Sequence, residues 1–288
     1  MSEAADRAAA NAGTLILGDD LEVRRIGFGA MRITGEGVWG DPADPDATAA
    51  VLRRALELGV NFIDTADSYG PETSERLIAE ALYPYPDHTV IATKAGLLRS
   101  GPGEWSRDGR PEHLREACEG SLRRLRVERI DLYQLHSPDD KVPLEESVGA
   151  LAELRAEGMV RHVGLSNVDS GQLARAREIV PVVSVQNRYN VADRESEPLV
   201  ELCEREGLAF IPWFPLRAGK MATPGGPLDR VAEAHGATPA QVALAWLLQR
   251  SPAMLPIPGT SSVEHLEENV AAAGLRLSDE ELESLSGG

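Results

Sequence analysis

Asn61-Phe62-Ile63-Asp64-Thr65-Ala66-Asp67-Ser68-Tyr69-Gly70 sets the pattern for the whole chain: a short apolar run, a polar residue where it stops, and a loop carrying more polar groups. The arrangement recurs with Lys94 after Val90-Ile91-Ala92-Thr93, with His136 after the run from Ile130 to Leu135, and with Ser166-Asn167 after Val163-Gly164-Leu165. Gln186-Asn187 close the run that begins at Val182, and Trp213 follows Phe210-Ile211-Pro212. Apolar runs this short read as buried parallel strands, and a closed parallel sheet puts all C-terminal strand ends on one rim. Polar residues spread from Asp64 to Trp213 therefore converge on one pocket.

Segments with helical spacing separate the runs. Asp44 caps and Pro45 opens a helix carrying Val51, Leu52, Ala55 and Leu56, which Gly59 ends. The cycle repeats over 111–125, 144–156, 170–179, 198–206 and 238–249, the last beginning with the capping-box pattern Thr238-Pro239-Ala240-Gln241. Eight strand candidates, at 26–28, 62–64, 89–93, 132–135, 162–165, 182–185, 209–211 and 254–256, predict an α/β fold of the (β/α)8 TIM barrel type. Two apolar runs around Gly18-Asp19-Asp20 predict an N-terminal β-hairpin that closes the barrel bottom, and extra helices are expected at the C-terminus. Residues 1–12 read as a disordered lead and 13–288 as a single domain. The Gly- and Pro-rich stretches 35–46, 99–110 and 217–228 read as loops walling the pocket.

A chain of 288 residues with 42% hydrophobic composition can bury one large core. Its net charge of -17 argues against nucleic acid and anionic membranes as partners, since both repel an acidic surface. No apolar stretch reaches the roughly 18 residues of a membrane span, and the N-terminus lacks the apolar core of a signal peptide. Cys118 and Cys203 show neither metal nor redox spacing, so two buried free thiols and a cytoplasmic location are expected.

The rim residues define a chemistry. Lys94 is one of three lysines in an arginine-rich chain, and a buried ammonium needs the carboxylate that Asp64 supplies. An adjacent ammonium is expected to lower the pKa of the Tyr69 phenol and make it a proton donor. His136 would hydrogen-bond a substrate oxygen. Paired carboxylates for glycoside cleavage and a metal-ligand cluster are not evident, so no metal is expected. Ser166, Asn167, Gln186 and Trp213 suit a planar ring bearing an amide, with the indole on its face, a description nicotinamide meets. Met31, Trp39, Trp105, Phe214 and Arg217, with Tyr69 and His136, form the expected substrate pocket: an aromatic wall and one cation. Thr260-Ser261-Ser262 opens a helix through Leu266 and Val270, and could hold a phosphate at its positive end or act as an ordinary cap.

From about residue 14 to about residue 284 the chain resembles the aldo-keto reductases. The resemblance rests on Gly27-Phe28-Gly29-Ala30-Met31, the stretch from Asn61 to Gly70, Thr93-Lys94, the stretch from Asp131 to His136, Gly164-Leu165-Ser166-Asn167, the stretch from Val185 to Asn190, Pro215-Leu216 and Ile257-Pro258-Gly259-Thr260. It implies a catalytic tetrad of Asp64, Tyr69, Lys94 and His136, hydride transfer from NADPH with NADH also possible, and a small carbonyl substrate. It also implies that Gly29, Ala30, Met31, Asp64, Ser166, Asn167, Gln186, Trp213, Gly259, Thr260, Ser261 and Ser262 contact the cofactor. Trp213 takes the place of a stacking tyrosine, Leu216, Ala218 and Gly219 resemble the loop around the pyrophosphate, and Glu268 and Asn269 match adenine contacts. The stretch from Phe210 to Leu216 is similar to a bacterial branch that includes pyridoxal reductases, which makes pyridoxal a candidate substrate. Two other classes stay open: a slow or non-enzymatic nucleotide-sensing regulatory subunit like the potassium-channel β subunits of that family, and a phosphate-handling barrel isomerase.

His265 stands where many members have arginine around the adenosine 2′-phosphate. Fewer cations there leave less energy for discrimination, so NADPH is expected to bind about 10- to 100-fold more tightly than NADH, or about 1.4 to 2.8 kcal/mol. Fluorescence titration of Trp213 with both nucleotides checks this, and equal or tighter NADH binding contradicts it.

Overall fold

A computed structural model describes residues 8–216 and 224–286. A 3-10 turn at Ala9–Ala12 leads into the hairpin β1 (Thr14–Leu17) and β2 (Leu21–Arg24). The parallel strands are β3 (Phe28–Gly29), β4 (Phe62–Asp64), β5 (Val90–Ala95), β8 (Ile130–Leu135), β9 (Val160–Ser166), β10 (Val182–Gln186) and β11 (Ala209–Phe210). A second hairpin, β6 (Leu97–Gly101) with β7 (Glu104–Arg107), rises from the end of β5. The helices are α1 (Pro45–Glu57), α2 (Thr73–Leu82), α3 (Pro111–Leu125), α4 (Leu144–Ala156), α5 (Ser170–Arg177), α6 (Glu197–Glu206), α7 (Pro227–His235), α8 (Pro239–Arg250), α9 (Val263–Ala271) and α10 (Asp279–Ser286).

The sheet order β11-β10-β9-β8-β5-β4-β3 is parallel throughout, and residues 253–258 join its two edges. On one side Phe210 N donates to Ala253 O and Leu255 N to Phe210 O, both at 2.9 Å; on the other Gly27 N donates to Pro256 O at 2.9 Å. This is the eighth stave of a (β/α)8 barrel, in the place the sequence predicts but without a regular ladder. Pro256 and Pro258 have no N–H to donate, which is why the closure runs through single bonds. Close approach decides two glycines here: a Cβ on Gly29 would stand 2.5 Å from Ile257 O, and one on Gly259 would stand 2.4 Å from Gly29 O.

The first hairpin plugs the barrel bottom. Leu17, Leu21 and Val23 pack with Phe62, Val90, Leu132, Ile211 and Leu255 in the interior. Its turn needs Gly18, at φ +61°, where a Cβ would lie 2.4 Å from the His162 ring. Asp20 beside that turn bonds Arg161 at 2.8 Å and His162 at 2.7 Å, and Asn61 receives the Arg24 N–H at 2.8 Å. Two larger apolar clusters fill the layer between strands and helices. Cys118 and Cys203 lie in that layer, unpaired, with thiols pushed up to about 12 by burial.

The expected caps form: Asp44 accepts from Ala47 N, and Thr238 and Gln241 make a reciprocal box. Three features differ from the sequence reading. Helix α2 was not anticipated, because its buried face includes Ser74 and Glu75, polar groups that obscure the apolar period. Arg99 to Arg107 belongs largely to the β6–β7 hairpin turning at Gly101-Pro102-Gly103, not to an irregular loop. Packed chain also starts before residue 13: Ala9 is buried and its N–H donates to Leu58 O at 3.1 Å. Among the described residues no helix is long and apolar enough to cross a membrane.

Leu17 is fully buried in the plug, so Leu17→Ala should lower the unfolding free energy by about 2 to 5 kcal/mol through lost burial and a cavity. Denaturant unfolding measures it, and a change below about 1 kcal/mol would show that the hairpin does not support the barrel.

Candidate active site

Adjacent staves bring Asp64 and Lys94 together. Asp64 pairs with Ala92 across β4 and β5, so Lys94, two residues further along, points to the same face. Its Nζ donates to Asp64 Oδ2 and to Thr65 O, each at 2.7 Å, with no exposed side-chain surface. The other carboxylate oxygen, Oδ1, accepts from Gln186 Nε2 at 2.9 Å and from Gln134 Nε2 at 3.3 Å. Two buried charges are costly unless both are well hydrogen-bonded; here Asp64 accepts three bonds and Lys94 donates two. Gln134 was not singled out from the sequence; its sign was a polar residue inside an apolar strand. Gly164 makes room for it, since a Cβ there would lie 2.9 Å from Gln134 Cγ and 2.3 Å from Ser184 Oγ.

Tyr69 and His136 stand over this pair. The ammonium lies 5.2 Å from the Tyr69 ring centroid, and the two rings meet edge to face at 5.7 Å. Burial alone pulls the Lys94 pKa down, but Asp64 and Tyr69 more than reverse it, so the group stays charged. The Tyr69 value departs from the expectation. Burial raises the phenol above its ordinary 10.0, and Lys94 offsets only part of that rise. Tyr69 therefore holds its proton at neutral pH. Burial, then the Lys94 charge, push His136 well below 6.5, leaving a neutral imidazole with Nδ1 3.3 Å from Ser68 Oγ.

A cavity of about 810 Å³ opens above these groups. Asp64, Tyr69 and His136 form its floor, with Gly29, Met31 and Gly259 on one side, Trp105 on another, and Ser166, Asn167, Gln186, Trp213, Phe214 and Leu216 around the rest. Asn167 takes a left-handed backbone, φ +59°, which asparagine tolerates better than most residues. That turns its amide inward: Nδ2 donates to His136 O at 2.9 Å and Ser166 Oγ at 3.1 Å, and Oδ1 accepts from Trp213 Nε1 at 3.1 Å. Ser166 Oγ donates to Gln186 O at 2.7 Å. These side chains bond chiefly to one another, and the half-buried indole of Trp213 is left as the flat surface facing the cavity.

Other expected site residues lie elsewhere. Lys94 sits beneath the floor rather than in the cavity wall. Ala30 is buried and its carbonyl accepts from Ser74 Oγ at 3.2 Å. Trp39 is packed near Arg99, outside the cavity. Arg217, Ala218 and Gly219 lie outside the described residues. Arg32 lines the cavity beside Gly259 and was not anticipated. At the start of α9 the hydroxyls cap their own helix: Thr260 Oγ1 accepts from Ser262 N at 3.0 Å and Ser262 Oγ from His265 N at 3.3 Å. Ser261 and His265 are exposed beside them, while on α9 Glu268 is half-buried and Asn269 buried. A flat indole, a glycine-lined approach at Gly29 and Gly259, and an exposed helix start fit an extended nucleotide with a planar head.

Residues 25–287 match the model of the aldo/keto reductase family. An uncharacterized oxidoreductase of Schizosaccharomyces pombe is 54% identical, covering 94% of this chain and 88% of that one. The pyridoxine 4-dehydrogenase of Escherichia coli is 46% identical, covering 92% and 94%. Among solved structures, an aldo/keto reductase from Klebsiella pneumoniae in complex with NADP and acetate superposes with a TM-score of 0.81 at 31% identity, covering 94% and 93%.

Removing the ammonium leaves Asp64 buried and short of one partner. Lys94→Met should thus cost about 3 to 5 kcal/mol of stability by chemical denaturation. A variant as stable as the parent would mean the buried pair does not support the fold.

Proposed function

The chain belongs to the aldo/keto reductase family, and on that premise we propose that it reduces aldehydes and ketones with NADPH, using Tyr69 as proton donor. The observation that carries this reading is a neutral phenol and a neutral imidazole side by side on the cavity floor, above a buried ammonium. NADPH, when bound, supplies the hydride to the carbonyl carbon. The carbonyl oxygen would accept hydrogen bonds from Tyr69 O–H and His136 and take the Tyr69 proton as the C–O single bond forms. The phenolate left behind would be stabilised by Lys94, whose orientation Asp64 fixes, until solvent restores the proton. A depressed imidazole pKa suits His136 to orienting the substrate rather than competing as the acid.

Trp213 is the proposed nicotinamide platform, with Ser166, Asn167 and Gln186 at the ring's edge. Asn167 would exchange one of its internal bonds to do so. Gly259, Ser261 and His265 are proposed for the adenosine end, with Thr260, Ser262, Glu268 and Asn269 framing it. The cavity wall of Met31, Trp105 and Phe214 favours a flat ring on the substrate. Together with 46% identity to a pyridoxine 4-dehydrogenase, this supports pyridoxal as a substrate. A cytoplasmic setting belongs to the same proposal, supported by two free buried thiols.

Tyr69→Phe removes only the hydroxyl, so folding and NADPH binding should be nearly unchanged while single-turnover oxidation of bound NADPH by an aldehyde slows by about two to four orders of magnitude. Reduction at close to the parent rate would remove Tyr69 from the chemistry.

A further inference from the structure

Arg99 lies in β6, directly across from Trp105 in β7, and Trp105 lines the cavity. Its guanidinium stacks on the Trp105 indole at 3.8 Å from the centroid and lies 5.8 Å from that of Trp39. It also directs five hydrogen bonds at backbone carbonyls on three separate segments. Within the hairpin, Nε donates to Glu104 O at 3.1 Å and Nη2 to Gly101 O at 3.2 Å. Across to the loop after β3, Nη1 donates to Val38 O and Nη2 to Gly37 O, both at 2.7 Å. Nη1 also reaches Ser68 O at 3.5 Å, on the loop that carries Tyr69.

Those bonds meet independent contacts between the same segments. Gly103 N donates to Gly37 O at 3.3 Å, and Gly40 N donates to Gly70 O at 2.8 Å, next to Tyr69. Gly37 adopts φ +69°, and a Cβ there would lie 3.0 Å from Pro102 Cβ, so the hairpin tip and the loop are in close approach. At the inner end, the Trp105 ring meets His136 edge-on at 6.4 Å, and Ser68 Oγ lies 3.3 Å from His136 Nδ1. Trp105 is 41% exposed, so its position depends on what is stacked behind it.

We propose that Arg99 is a positioning residue for substrate selection: it locks the loop 35–40 and the β6–β7 hairpin onto the Tyr69 loop, and so holds Trp105 as a rigid wall for flat aromatic aldehydes. The proposal rests on the reductase reading of the cavity. Only a planar fork with five donors can bridge three segments and stack at once; a lysine ammonium has three donors on one atom and no face. A wall fixed before binding costs the ligand no ordering. A small aldehyde that never reaches the wall gains nothing from it.

The test compares parent protein with Arg99→Met and Arg99→Lys, using pyridine-4-carbaldehyde, propanal and NADPH, with amide hydrogen exchange measured in parallel. Both variants should raise KM for the pyridine aldehyde by about tenfold or more, while kcat and KM for propanal and Kd for NADPH stay within about twofold. Exchange should quicken over 35–40 and 97–107 together. Equal losses on both aldehydes, an unchanged pyridine KM, or faster exchange confined to 97–107 would overturn the proposal. If the parent reduces neither aldehyde, the reductase reading fails instead, and the exchange pattern alone decides whether Arg99 joins the two loops.

Discussion

The buried ion pair between Lys94 and Asp64 is the constraint that the rest of the site obeys. An ammonium and a carboxylate with almost no exposed surface are tolerated only when they pair closely and gain further hydrogen bonds. Here the partners come from β4, β5, β8 and β10: Asp64 and Lys94 themselves, then Gln134 and Gln186, with Gly164 on β9 kept small to admit Gln134. Side chains from three other staves thus converge on the one carboxylate of β4. Their convergence follows from a closed parallel sheet, and the closure is made by the proline-interrupted segment 253–258 and sealed below by the first hairpin.

A second polar network backs the first. Glu75, wholly buried on α2, accepts from Thr93 Oγ1 at 2.6 Å and from Arg124 Nε at 2.7 Å, tying α2 and α3 to the residue that precedes Lys94. Burial, and then the Glu75 charge, push the nearby Asp67 carboxyl well above its usual range. Under Tyr69 lies the Lys94–Asp64 ion pair, and the phenol stays protonated. Burial dominates over the ammonium for Tyr69 in the free protein, and the ammonium's larger contribution comes when the phenol gives its proton away.

Much of this could be read in the sequence because the barrel imposes it. Strand ends are where an apolar run stops, so Asp64, Lys94, His136 and Ser166-Asn167 stood out one after another, and each lies at the rim end of its strand. Helix caps were legible at Asp44 and Thr238 because capping is local chemistry. What stayed hidden depends on contacts distant in sequence. Helix α2 hides its period behind Ser74 and Glu75, whose partners Thr65, Thr93 and Arg124 are supplied by other elements. Gln134 and Arg99 gain meaning only when strands and loops far apart in the chain meet. Burial likewise reversed the expected direction for the Tyr69 pKa, since spacing reveals the neighbouring ammonium but not the missing water.

The central claim is that Tyr69 is a neutral phenol whose anion is supported by the Lys94 ammonium. An NMR titration of the protein with labelled tyrosine rings, the Tyr69 signal assigned by its loss in the phenylalanine variant, reads this directly. The phenol should remain protonated up to at least its ordinary value of 10.0, and its titration should move still higher when Lys94 is replaced by methionine. A Tyr69 signal that titrates well below that value, or one indifferent to the loss of Lys94, would contradict the account.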